Sequence, residues 1–342
     1  MSQNLAVVHG TGLIGASLGL VLRSQGWTVR GWDPDRARLA EALRRGALDG
    51  PLDAPDRELD HADLVVLAGP PETISDTLGS LRTQSLVTDV AGVKTPIVAA
   101  ASRVPRFVGG HPMAGGTTTG PALATSTLFH GATWILTTDG ADLPDLDEVA
   151  GIVSSIGANP VTMTAEEHDR AVALVSHLPH LLAAALVEMV AREDSALDLA
   201  GGSFRDLTRV AGAESSWWAD LLGANARHVG EAISSLEAAL ASWKTALTEN
   251  DRAWVGATLD AARERRSGLG EHQARVGVVL FDQPGEIARV GRALEAAQVD
   301  VRDFQLRHGE HGGGGVLTIT VAPSAESALR GALSRQGFTL QP

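Results

Sequence analysis

The segment Val7-Val8-His9-Gly10-Thr11-Gly12-Leu13-Ile14-Gly15 leaves this chain little choice of opening fold. An apolar run feeds a G-x-G-x-x-G pattern, and a helical pattern follows it. Gly10 permits a tight turn, Gly12 lets the backbone approach a pyrophosphate, and Gly15 lets the helix pack closely on the strand. Amides at the helix N-terminus then receive the phosphate charge. In a chain with 38 glycines the pattern could be an ordinary turn, so its context decides. Leu5–Val8 reads as a buried strand, Gly15–Ser24 as a helix and Thr28–Trp32 as a second strand. Asp33 ends that strand about 20 residues beyond the fingerprint, a separation that suits a carboxylate for ribose hydroxyls. Gly10, Thr11, Gly12, Leu13, Ile14, Gly15 and Asp33 are therefore the candidate dinucleotide contacts. The acid favours NAD, because it would repel the 2′-phosphate of NADP. Arg36 and Arg38 follow closely enough to keep NADP open.

The alternation continues with a helix at Arg36–Arg45 and strands at Leu64–Ala68, Leu86–Asp89, Phe107–Val108 and Thr133–Thr137. Short apolar runs without period-2 alternation are strands covered on both faces, which implies βαβ units and a mainly parallel sheet. After Val161 the pattern turns helical and shows no convincing strand as far as Arg266. Leu174, Leu178, Leu181, Leu182 and Leu186 recur at helical spacing, and Pro179 should kink this helix or mark its first turn. So apolar a helix needs a partner, and a second copy of the chain is the economical choice. Arg265–Gly270 reads as a linker. Beyond it come a strand (275–280), a helix (285–297), strands at 299–307 and 316–321 separated by the Gly312–Gly315 run, a helix (326–336) and a last strand (338–340). That is a split βαβ unit. The expected class is α/β, with a dinucleotide-binding domain over 1–163, a helical domain over 164–268 and a small α/β domain over 272–342.

Composition narrows the function. A net charge of −13 argues against a sequence-independent grip on nucleic acid or anionic lipid. The absence of cysteine excludes disulfides and thiolate chemistry. Leu181–Ala191 is the richest apolar run, short of the roughly 20 residues a membrane span needs, so no membrane association is expected. Met1–Asn4 carries no basic segment of a signal peptide. A soluble, cytoplasmic protein is the expectation. Only Lys94 and Lys244 among 28 basic residues are lysine, which draws notice to Lys94 even though GC-rich coding explains the bias.

Lys94 closes Asp89-Val90-Ala91-Gly92-Val93-Lys94. His111 lies in Gly109-Gly110-His111-Pro112-Met113-Ala114-Gly115. Both segments follow strands on the side where doubly wound folds bind ligands. A histidine amid glycines can approach a substrate and exchange a proton near neutrality, although loop-capping is the commoner role. The helical region adds Ser176-His177-Leu178-Pro179-His180. Its two histidines share a helix face, but no second ligand motif accompanies them, so no metal is expected. Arg205, Asp206 and Arg209 form either an ion-pair cluster or a carboxylate-binding site.

Together, Gly10–Gly19, Asp89–Lys94, Gly110–Gly115, Ser176–His180 and Gly202–Ala211 resemble the prephenate/arogenate dehydrogenase family of tyrosine biosynthesis, across nearly the whole chain. Asp282-Gln283-Pro284-Gly285 in the last unit resembles the amino-acid-binding loop of an ACT regulatory domain. The resemblance implies an NAD-dependent oxidative decarboxylation of prephenate or arogenate in a homodimer. His111 would then accept the substrate's hydroxyl proton, Arg209 hold a carboxylate, His177, His180 and Gly92 line the pocket, and Asp206 orient its neighbours. Tyrosine would be the effector. Two positions depart from the family: Gly92 stands where serine is usual, and Thr117 where many prephenate-using members carry glutamate. The alternatives are another small-substrate NAD dehydrogenase, such as a hydroxyacid or imine reductase, and a non-catalytic amino-acid sensor.

Overall fold

The computed structural model describes residues 4–52, 59–115, 120–193, 196–267, 274–281, 283–308 and 314–341. The chain divides into two compact units, 1–238 and 239–342.

In the first unit, β1 (Leu5–His9), α1 (Leu13–Ser24), β2 (Thr28–Trp32), α2 (Arg36–Arg44), β3 (Gly50–Pro51), β4 (Leu64–Leu67), α3 (Pro71–Ser80), β5 (Leu86–Asp89), α4 (Thr95–Ala100) and β6 (Phe107–Val108) follow in order. The six strands form one parallel sheet in the order β3-β2-β1-β4-β5-β6. Alternate side chains bury on opposite faces. Ala6, Val8, Leu64, Val66 and Leu86 belong to one core, while Val7, Val65, Leu67 and Val87 belong to another. That two-sided burial is why the strands read as unbroken apolar runs.

Thr133–Thr137 is a strand (β8), but it lies outside the parallel sheet. It pairs antiparallel with β7 (Gly110–Pro112) and parallel with β9 (Asn159–Met163), following β7-β8-β9 order. β9 begins with Asn159-Pro160. Its proline is tolerated because β9 is an edge strand of this sheet. Between β8 and β9 runs α5 (Leu143–Ser155).

The helical segment then begins. A capping box between Thr164 and Glu167 starts α6 (Ala165–Val172). Ala173–His177 is a π turn, and α7 (Leu178–Val190) carries Pro179 in its first turn. Proline lacks the amide that the preceding turn would use, and the helix widens there. The continuous stretch Ala165–Val190 spans 26 residues, and its richest window has mean hydropathy 1.6. By length and composition it is sufficient to cross a bilayer, so the expectation that no segment reaches such proportions is corrected. Its histidines and Asp169 are nonetheless engaged with the rest of the unit, as described below. α8 (Gly202–Thr208), α9 (Ser215–Ala224) and α10 (Ala226–Thr248) complete the series, and the division between units falls within α10.

In the second unit, α11 (Arg252–Ser267) continues through Arg265 and Arg266, which the sequence assigned to a linker; 268–270 lie outside the described residues. β10 (Ala274–Leu280), α12 (Glu286–Ala297), β11 (Val301–His308), β12 (Gly315–Val321) and α13 (Pro323–Arg335) follow. β10 and β11 flank β12, antiparallel to it, and Leu340 bridges to Val278 on the far side of β10. The expected last strand is thus reduced to a single bridge, within the expected split βαβ topology. Its core joins Val276, Val278 and Leu280 to Leu317, Ile319, Val321, Leu329 and Leu333.

Candidate active site

The first turn is built as its glycines predict. Gly10 has φ +102°, and a Cβ there would lie 2.3 Å from the Ala68 carbonyl oxygen. A Cβ on Gly15 would meet the Gly10 carbonyl at 2.0 Å, whereas one on Gly12 would meet nothing within 4 Å. So Gly10 and Gly15 are required by packing, and the open space lies above Gly12, where the amides of α1 have no side-chain cap. That is an anion cradle fit for a dinucleotide pyrophosphate. Asp33 stands at the end of β2, 6% exposed. Its Oδ2 accepts from Thr11 N (2.7 Å) and Thr11 Oγ1 (3.1 Å), and its Oδ1 from Asp35 N (2.9 Å). Three of about four acceptor positions are used, which leaves one for a ribose hydroxyl. Asp33 is therefore also the clamp of the glycine turn, a role the sequence did not show.

Beyond the C-terminal end of β5 sits a buried ion pair. Lys94 is 0% exposed; its Nζ donates to Asp89 Oδ2 and, at 2.5 Å, to the Gly110 carbonyl. Asp89 also accepts from Ala91 N (2.8 Å) and Gly110 N (3.0 Å). Its carboxylate and the lysine thus grip both polar groups of the residue before His111. The Gly109–Gly110 pair exists for this packing. A Cβ on Gly110 would lie 2.5 Å from the Asp89 carbonyl oxygen, and one on Gly109 would lie 2.6 Å from Thr137 Oγ1. Substrate approach is not what demands glycine there.

His111 itself is part-buried on β7. Its Nδ1 lies 2.8 Å from His168 Nε2, and His168 Nδ1 lies 2.8 Å from Asp169 Oδ1. Asp169 also accepts from the amides of Lys94 (2.7 Å) and Thr95 (2.8 Å), capping α4. These bonds hold its carboxyl down at about 2 against the cost of burial. The protons can now be placed. A carboxylate only accepts, so His168 donates from Nδ1, and neutral His168 has a bare Nε2. His111 must then donate from Nδ1, which leaves the lone pair on its Nε2. Burial first, then the neighbouring His168, Lys94 and His177, push the His111 pKa well below its ordinary value. The site holds a neutral imidazole with one basic nitrogen oriented by a carboxylate at second remove.

That nitrogen faces Gly92, where an added Cβ would lie 3.8 Å from it. The same Cβ would lie 3.0 Å from Leu221 Cδ1 on α9. Leu221, 2% exposed, leans into the space beside Gly92. Gly92→Ser is therefore expected to cost about 1 kcal/mol, the lower range for overpacking. The cost should shrink in a Leu221→Ala background; equal costs in both backgrounds by chemical denaturation would show that the two side chains do not meet.

Of the other sequence candidates, His180 stacks on Trp218 with centroids 3.7 Å apart, and its buried Nδ1 has no hydrogen-bond partner among the described residues. His177 is 1% exposed, so it is packed inside the site instead of lining an open pocket. Arg209 and Asp206 are exposed on the segment that packs along α7. Gln283, Pro284 and Gly285 are exposed in the second unit, whereas Asp282 and Thr117 lie outside the described residues. Glu286 folds back on that loop, accepting from Phe281 N (2.8 Å) and Gln283 N (3.3 Å). No cluster with metal-binding potential occurs among the described residues.

A parallel sheet with a phosphate-cradling first turn, and a basic histidine past its strand ends, define a dinucleotide-dependent oxidoreductase. Comparison with known proteins makes this specific. Residues 18–162 match the family model for the prephenate dehydrogenase nucleotide-binding domain, and 164–260 match that for the prephenate dehydrogenase dimerization domain. NovF of Streptomyces niveus, described as a probable prephenate dehydrogenase, is 31% identical, with 95% of this chain and 96% of NovF covered. Among solved structures, Aquifex aeolicus prephenate dehydrogenase with hydroxyphenyl propionate and NAD+ is 27% identical. It superposes with a TM-score of 0.73 over 79% of this chain and 99% of its own. Synechocystis arogenate dehydrogenase is 29% identical, with a TM-score of 0.70 over 78% and 100%. The chain belongs to the prephenate dehydrogenase family.

Proposed function

We propose that this chain catalyses the NAD-dependent oxidative decarboxylation of prephenate to 4-hydroxyphenylpyruvate. The observation that carries the reading is the bare Nε2 of His111, fixed by the His168–Asp169 pair beyond the strand ends. The Gly10–Gly15 turn and Asp33 would hold NAD, whose nicotinamide supplies the hydride acceptor. His111 Nε2 accepts the proton of the substrate's ring hydroxyl as the ring is oxidised and its carboxylate leaves as carbon dioxide. The proton's charge is then shared along Nδ1 to His168 and faced by Asp169. Arg209 holds a substrate carboxylate, His180 presents the stack with Trp218, and His177, Gly92 and Asp206 shape and orient the surroundings. Aromatisation drives the chemistry, so the protein's main task is orientation and proton acceptance. Mixing the protein with NAD and either prephenate or arogenate tests this. Growth of the NADH band with prephenate supports it, growth with arogenate alone reassigns the substrate, and growth with neither overturns it.

Asp33→Ser is expected to raise KM for NAD by about 10-fold and to narrow the preference over NADP, since a ribose contact and the Thr11 clamp are lost together. An unmodified protein with equal kcat/KM for both nicotinamides would remove Asp33 from cofactor choice.

The organisation we favour is a nucleotide domain over 1–163, a dimerisation domain over 164–268 and an ACT-like domain over 272–342, in a cytoplasmic homodimer. Exposed Leu174, Val175, Met189 and Leu207 support a partner-covered face. Tyrosine is the proposed effector at the 282–285 loop. Gly285 has φ +90°, so Gly285→Val strains the loop, and it is expected to abolish the tyrosine response. Tyrosine inhibiting parent and variant equally, and competitively with substrate, would place its action at the active site.

A further inference from the structure

Asn225 follows the last turn of α9, 3% exposed, and the reaction scheme above gives it no role. Its side chain makes three contacts. Nδ2 lies 2.8 Å from the backbone carbonyl of Asp169 and 3.2 Å from His177 Nδ1, while Oδ1 lies 2.9 Å from His228 Nδ1. A peptide carbonyl only accepts, so the group facing Asp169 must be the amide NH2, and the carboxamide cannot be turned over. Its second hydrogen then goes to His177 Nδ1. That nitrogen carries the lone pair, and the proton of neutral His177 sits on Nε2. On the other side Oδ1 accepts from His228 Nδ1–H, which fixes the amide from behind.

We propose that Asn225 is a positioning residue: it holds His177 as the Nε2–H tautomer and ties it to the backbone of the relay aspartate. The kinetic part of this inference rests on the dehydrogenase reading; the tautomer does not. The face of α9 that delivers Asn225 also delivers Trp218 and Leu221, seven and four residues earlier, one face of a helix. Trp218 meets His177 edge-on, with centroids 6.1 Å apart, and stacks on His180. A single helix therefore sets the Gly92 wall, the His180 stack and the His177 proton.

The charged and titratable groups around His177 are Asp169 and His168 from α6, His180 from α7 and His111 from β7. Burial brings the His177 pKa down to about 4, so it is neutral at working pH. In Asn225→Asp a carboxylate would confront two acceptors, the Asp169 carbonyl and His177 Nδ1. A proton on His177 Nδ1 is the relief available, and it puts a cation, or the opposite tautomer, beside His111.

Ring-15N-labelled histidine in the full-length protein reads this directly, with the His177 signals assigned by their loss in His177→Gln. The parent is expected to show a neutral ring protonated on Nε2, and Asn225→Asp a cationic or Nδ1-protonated ring near neutrality. A parent His177 protonated on Nδ1 overturns the proposal without recourse to any variant, as does an Asn225→Asp protein that folds and leaves the ring unchanged. In kinetics, Asn225→Asp should lower kcat about 10-fold, keep KM for NAD within about twofold, and add an ionisation to the pH–rate profile. A parent inactive toward prephenate and arogenate would sink the dehydrogenase reading and leave the tautomer result standing.

Discussion

Replacing His111 with asparagine is expected to lower kcat by about 100-fold or more, the usual consequence of losing a general base, with little change in KM. Asparagine is smaller, but its amide can still donate toward His168 Nε2, so the relay behind it survives. What disappears is the lone pair facing Gly92. The same reasoning moves the acid limb of the activity profile. An unperturbed histidine would switch off near pH 6.5, but burial and the neighbouring histidines and Lys94 hold His111 well below that. Activity should therefore persist below pH 6.5 before it falls. Stability follows the opposite course in this window. His111, His168, His177 and His180 are all depressed in the folded state. As pH falls below about 6.5 the unfolded chain takes up protons that the folded chain refuses, so stability is lost progressively toward the folded values. A fully active His111→Asn enzyme removes the histidine from the mechanism, and an acid limb centred at or above pH 6.5 contradicts the described surroundings of His111.

Much of this architecture was legible because burial on both faces writes itself into the sequence. Thr28–Trp32, Leu86–Asp89, Phe107–Val108 and Thr133–Thr137 are strands with the bounds their apolar runs predict. The sheet to which Thr133–Thr137 belongs was not legible, since its partner β7 is a three-residue strand of glycine, histidine and proline. The relay was missed for a different reason. Ala165-Glu166-Glu167-His168-Asp169-Arg170 looks like a solvated helix face. Yet Ala165 and Val172 mark an inward face, and His168 and Asp169 occupy the third and fourth positions after Ala165 on that face, all of them buried. Helical periodicity applied to polar residues would have found them. Asn225 and Leu221 left no such signal, because their roles depend on which chain segments α9 packs against. Lys94 was noticed for its rarity, but only the fold shows that it bonds Asp89 and the carbonyl before His111.

Asp169→Asn should lower kcat by about 10-fold and stability by about 1 kcal/mol together. The carboxylate accepts from Lys94 N and His168 Nδ1 on one oxygen and from Thr95 N on the other. An asparagine has a single acceptor, so one of its sides must set an NH2 against a donor. If the NH2 faces Thr95, a part-buried amide loses its partner, and stability falls by about 1 kcal/mol. If it faces His168, the buried Lys94 amide loses its acceptor on the same side, and the His168 ring must present a lone pair at Nδ1 and move its proton to Nε2. His111 Nδ1 then becomes the acceptor, and the only proton of neutral His111 moves to Nε2, where the base should be. The two orientations make different demands and can be told apart. Each orientation orphans one amide, so kcat separates them: a modest loss would mean the first holds and the proton order of the relay is intact, and a loss of about 100-fold at unchanged KM for NAD would mean the second. We expect the first to dominate, because it orphans only the part-buried Thr95 amide and leaves His168 its acceptor, whereas the second orphans the buried Lys94 amide and displaces a proton as well. The kcat loss then comes from the missing carboxylate charge that faced the shared proton. A variant that matches the parent in both kcat and melting temperature would show that Asp169 orients neither His168 nor α4.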